Sequence, residues 1–115
     1  MSLADYIAAV KTTLEGLGFL VEMSISAKGL SGFEHRFDLA ARKGSRVVYL
    51  SVKPANPMSL LAEVVKGFDV KEEIIIAAMG EPPPRAVEIS KEGRVKIVPF
   101  KSAEELVEKL KQILA

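Results

Sequence analysis

The chain predicts an α/β domain in which a mixed five-stranded sheet begins as an antiparallel meander, continues through parallel crossover strands, and carries helices on both faces. Three observations predict it. Apolar residues recur at helical spacing at both ends of the chain, alternate with period two between residues 19 and 40, and gather into short unalternating runs separated by a helical segment further on. A length of 115 residues with 49% hydrophobic content fits one domain over residues 1–115.

Leu3, Ile7, Val10, Leu14 and Leu17 mark the first helix, Leu3 to Glu15, opened by a capping box between Ser2 and Asp5 and closed by Gly16 and Gly18. From Phe19 to Ala27 the period becomes two, with Phe19, Val21, Met23 and Ile25 on one face and Glu22 on the other. Gly29 and Gly32 turn the chain, after which Phe33, His35, Phe37 and Leu39 alternate with Glu34, Arg36, Asp38 and Ala40. That spacing points Asp38 away from the aromatic face and assigns His35 to packing. Arg42 to Ser45 form a hairpin loop into Arg46 to Lys53, a strand buried on both faces.

Asn56 and Pro57 are cap and first-turn residues for a helix that buries Leu60, Leu61, Val64, Val65 and Phe68 and stops near Gly67. Ile74 to Met79 has the unbroken apolar run of a central parallel strand, reached by a right-handed crossover. Beyond the stiff Glu81–Pro84 loop, a short helix from Arg85 to Ser90 leads to the strand Val95 to Val98. Ser102 to Glu105 cap a last helix with Leu106, Val107, Leu110, Ile113 and Leu114 inward.

Composition narrows the chemistry. No apolar run approaches the roughly eighteen residues of a membrane span, and a basic-then-apolar leader is missing, so the expected setting is the cytoplasm with no membrane partner. Zero cysteines and one histidine exclude thiolate metal sites, leaving magnesium or manganese as the metals that carboxylates would hold. The net charge is +1, but Lys28, Arg36, Arg42, Lys43, Arg46 and Lys53 outnumber Glu34 and Asp38 between residues 28 and 53. A basic segment of that kind suits a phosphate backbone, and equally a solvated hairpin.

The stretch Gly29-Leu30-Ser31-Gly32-Phe33-Glu34-His35-Arg36-Phe37-Asp38, followed by Ser51-Val52-Lys53, carries the most chemistry. Alternation puts Ser51 and Lys53 on one face about 7 Å apart, beside Asp38 on the neighbouring strand. Each residue also has an ordinary reading. Asp38 would pair with Arg36 or Lys53, Lys53 would extend to solvent at a strand end, Asp5 would cap its helix, and Glu22 and Glu63 would be surface charges.

These residues and the element order resemble the restriction-endonuclease-like PD-(D/E)xK nuclease superfamily, near its Mrr-type and archaeal resolvase-like branches. Phe68-Asp69-Val70 and Val95-Lys96-Ile97-Val98 also look like landmarks of that family. The resemblance implies that Asp38 is the first metal-binding acid, Lys53 the site lysine, and Ser51 the occupant of the second acid's place. It further implies DNA as the partner, contacted through Lys28, Arg36, Arg42, Lys43 and Arg46, and a homodimer that cuts two strands.

Loss of one carboxylate from a divalent site costs a few kcal/mol, since unit charges about 4 Å apart interact by about 4 kcal/mol at an effective dielectric of about 20. The first expectation is therefore a DNA-binding domain with an incomplete metal site and little or no hydrolysis. The second is an active magnesium-dependent endonuclease in which Asp5, Glu22 or Glu63 replaces the missing acid. A protein-interaction module without nucleic acid is the third.

Overall fold

A computed structural model describes residues 1–115. The chain runs α1 (Leu3–Gly16), β1 (Leu20–Lys28), β2 (Glu34–Lys43), β3 (Arg46–Pro54), α2 (Pro57–Val64), a 3-10 turn (Val65–Phe68), β4 (Glu73–Met79), α3 (Pro84–Glu92), β5 (Val95–Phe100) and α4 (Ala103–Leu114). The five strands lie side by side in chain order. The β1–β2 and β2–β3 pairs are antiparallel, and β3–β4 and β4–β5 are parallel. This is the predicted mixed sheet.

Two cores sandwich the sheet. Tyr6, Val10 and Leu14 of α1 and Leu106, Leu110 and Leu114 of α4 pack on one face against Leu39, Val48, Leu50, Val52 and Ile75. Leu60 and Val64 of α2 and Ala86 of α3 pack on the other against Phe37, Ile74, Ile76 and Ala78. The β4 run Ile74–Ala78 is buried throughout because helices cover it from both sides, which is why it shows no polar alternation. The caps form as read: Ser2 and Asp5 bond reciprocally, and Asn56 Oδ1 accepts from Ser59 N at 2.9 Å.

Four expectations are corrected. Phe19 and Val21 face one core while Ile25 faces the other, and Leu39 and Phe37 divide in the same way. The alternation breaks because Ser24 adopts φ +50°, a left-handed backbone uncommon outside glycine, and drops out of the β1–β2 ladder opposite Asp38. Phe37 and Asp38 consequently line the same cavity rather than opposite faces. Third, the second helix tightens at Val65 into the 3-10 turn, which carries Gly67 within it and leaves Val65 and Phe68 exposed. Finally Glu63, read as a surface charge, is 5% exposed.

Candidate active site

The β2–β3 ladder runs from Lys43↔Arg46 to Leu39↔Leu50 and stops there. Continued pairing would set Asp38 opposite Ser51. Instead the Asp38 carboxylate takes the place of a ladder acceptor: its Oδ2 accepts from Val52 N at 2.8 Å. The strands part at this point, and a cavity of about 270 Å³ opens between Ser24, Arg36, Phe37, Asp38, Ser51, Lys53 and Lys66. Asp38, Ser51, Lys53 and Arg36 are thus brought together, as the spacing predicts. Neither Lys53 nor Arg36 forms a salt bridge within the chain.

Ser51 is 1% exposed, and its Oγ has no hydrogen-bond partner within the chain. An unsatisfied buried hydroxyl costs about 1–3 kcal/mol, so a polar ligand in the cavity would recover stability lost to folding. Lys66, which no sequence signal singled out, closes the wall from the 3-10 turn. Its Nζ donates to Arg36 O at 2.6 Å, lies 4.8 Å from the centre of the Phe37 ring, and pairs with the Glu63 carboxylate one helical turn earlier. The Glu63 and Lys66 side chains are 7% and 17% exposed. A carboxylate is seldom buried without a partner, and here the partner stands in the cavity wall.

The other predicted residues lie elsewhere. Asp5 caps α1, where hydrogen bonds from the Ser2 backbone and hydroxyl hold its carboxyl below the ordinary range. Glu22 and Arg42 line a neighbouring cavity with Tyr49. Lys43 donates to Leu17 O at 2.8 Å, and Arg46 grips Glu73 with two nitrogens at 3.0 and 3.1 Å. Lys28 is exposed near the Gly29–Phe33 turn.

His35 belongs to a second network, in which Asp69 is the centre. Asp69 Oδ2 meets His35 Nε2 at 2.7 Å and accepts from Ser31 Oγ at 2.7 Å, while Oδ1 accepts from Ser31 N at 2.8 Å. Hydrogen bonds from His35 and Ser31 lower the Asp69 carboxyl to about 2. Because the acid sits between serine and histidine, the imidazole cannot take the serine proton as a hydrolase base does. The network pins the Gly29–Phe33 turn to the end of the 3-10 turn. Gly29 is required there, since a Cβ would fall 1.9 Å from Asp69 Oδ2.

No three acidic or histidine side chains converge anywhere in the fold. A divalent cation in the cavity would rest on Asp38 and the Ser51 hydroxyl, while Glu63 is bound by Lys66 and is not among the residues that line the cavity. That donor set suits magnesium, which takes one or two carboxylates and retains several waters.

No family model and no curated protein matches the chain. Among solved structures it is similar to a protein of unknown function, AF1548, at a TM-score of 0.66 and 16% identity over 93% of this chain and 66% of that one. It is also similar to protein VC1899 from Vibrio cholerae, at a TM-score of 0.66 and 8% identity over 95% of this chain and 32% of that one. The chain therefore spans about two thirds and one third of those proteins' lengths, and at such identities the shared property is the α/β fold.

Proposed function

We propose that this chain is a magnesium- or manganese-dependent DNA endonuclease domain of the PD-(D/E)xK kind, in which Glu63 supplies from α2 the acid that Ser51 does not. One arrangement supports the reading: Asp38, Lys53 and Ser51 line one cavity with Lys66, and the buried Glu63 carboxylate is the ion-pair partner of that lysine. A divalent cation held there supplies Lewis-acid polarisation of the scissile phosphate. The Val52 N–H fixes the Asp38 carboxylate and leaves its second oxygen free for that ligation. Lys53, free of any internal ion pair, faces the developing phosphate charge, and Arg36 anchors an adjacent phosphate.

A second reading has its own support. Asp38 already accepts a hydrogen bond and Glu63 is already neutralised, so a cavity walled by Arg36, Lys53 and Lys66 would bind a phosphate without cutting it. Cleavage of linear and branched DNA with magnesium or manganese separates the two. The endonuclease reading predicts cutting by the wild type that Asp38→Asn and Glu63→Gln each abolish. DNA binding with no cutting under either metal would favour the second reading, and no binding even at low salt would remove both.

A further inference from the structure

On the cavity's side of the sheet, the far half of the antiparallel ribbon has no helix over it. Packing on this side comes from α2 against β3 and β4 and from α3 against α2 and β5, whereas Leu20 is 77% exposed and Glu22 is exposed beside it. The register puts Leu20, Arg42 and Val47 in one cross-strand row and Glu22, Ala40 and Tyr49 in the next. Together with Ile25 and Ser26 these residues enclose a cavity of about 220 Å³. At about 30 Å³ per water it holds several waters, the scale of one heterocyclic ring.

This cavity adjoins the candidate active site. The Tyr49 ring, on its floor, stacks on Phe37 of the active-site cavity at 4.8 Å and 10°. Ala40 and Asp38 are two residues apart on β2, about 7 Å along a strand, which is about two base steps of a nucleic-acid strand. Beside apolar side chains the lining carries Ser26, the Tyr49 phenol and two ionic groups of opposite kind, the acceptor-only Glu22 and the donor-only Arg42. Neither makes a salt bridge within the chain.

We infer that this cavity binds an unpaired nucleobase of the strand whose phosphate lies at Asp38 and Lys53, selecting a base with an exocyclic amino group next to a ring or carbonyl acceptor. Glu22 accepts from the amino group and Arg42 donates to the acceptor, the pairings these side chains make with cytosine and guanine edges. Leu20, Ile25 and Val47 take the ring faces. Arg42 thereby acquires a base-reading role in place of the phosphate contact that its position in a basic segment implies. This inference rests on the nuclease reading for its strand, though not on whether the strand is cut.

Fluorescence anisotropy in the presence of a chelator tests it, with single-stranded oligodeoxycytidine, oligothymidine and an abasic strand of equal length. The wild type is expected to bind oligodeoxycytidine about tenfold more tightly than oligothymidine, and the abasic strand more weakly still. Glu22→Gln, at an exposed position, should bring oligodeoxycytidine and oligothymidine to within about twofold while leaving the salt dependence unchanged. Lys53→Gln should weaken all three strands equally. Strong, salt-dependent binding that does not distinguish the three strands would overturn the base pocket and leave the nuclease reading standing. Absence of binding to every strand at low salt would overturn both.

Discussion

Asp38 serves the sheet with one oxygen of its carboxylate, and in the proposed site offers the other. Its Oδ2 satisfies Val52 N–H where the ladder has ended, so Asp38→Ala leaves a part-buried donor unpaired and should cost about 1–3 kcal/mol in denaturant unfolding. Asp38→Asn keeps an acceptor and should stay within about 0.5 kcal/mol of wild type while losing metal ligation. Ser51 behaves oppositely, because its hydroxyl has nothing to lose in the unliganded fold. Ser51→Ala should be neutral or slightly stabilising in the same experiment, yet should weaken manganese binding. Asp38, Ser51 and Lys53 were legible in the sequence because period-two spacing fixes which residues of neighbouring strands meet. Glu63 was one of three acids the sequence offered as a replacement, but its burial was not legible, because a helical acid's burial depends on where the helix docks, and Lys66 joins the wall from the 3-10 turn into which the helix tightens.

At the scale of elements, the most deceptive signal was the alternation of β1 and β2. It reads unbroken through Ser24 and Asp38, yet the Ser24 backbone turns over and sends Ile25 and Phe37 to the opposite core from Val21 and Leu39. No residue type marks that reversal, since serine is ordinary in a strand.

The Gly29–Phe33 turn and the 3-10 turn are joined by Asp69, whose carboxyl is depressed from its usual 3.8 to about 2. A depressed acid contributes stability that is present above its unfolded value and lost as pH falls through the folded one. The wild-type melting temperature should therefore drop more steeply between about pH 4 and pH 2 than that of Asp69→Asn, whose network does not titrate at that position.

Close packing at Gly67 gives a further check. A Cβ there would fall 2.4 Å from Val95 Cγ2, and the buried, β-branched Val95 has little room to yield. Gly67→Ala should destabilise by about 1–3 kcal/mol. Gly16→Ala meets nothing within 4 Å and should be neutral or mildly stabilising.

For the whole molecule, the strand order and the two helical layers followed from the order of elements: a meander cannot be parallel, and strands joined through helices cross over to become so. The basic segment was a weaker guide to function, because charge along the chain does not survive as charge in space. Lys43 and Arg46 are spent on Leu17 O and Glu73, while Arg36 and Lys53 stay free at the cavity beside Lys66 from outside the segment.

The distinguishing arrangement is an acid from β2 in the cavity wall and a buried acid from α2 that pairs with a lysine of the same wall. Calorimetric titration with manganese of the wild type, Asp38→Asn and Glu63→Gln tests that arrangement most directly. Binding by the wild type that each variant weakens about a hundredfold is the predicted result, in line with a few kcal/mol per carboxylate. Equal manganese affinity in the wild type and Glu63→Gln would contradict it.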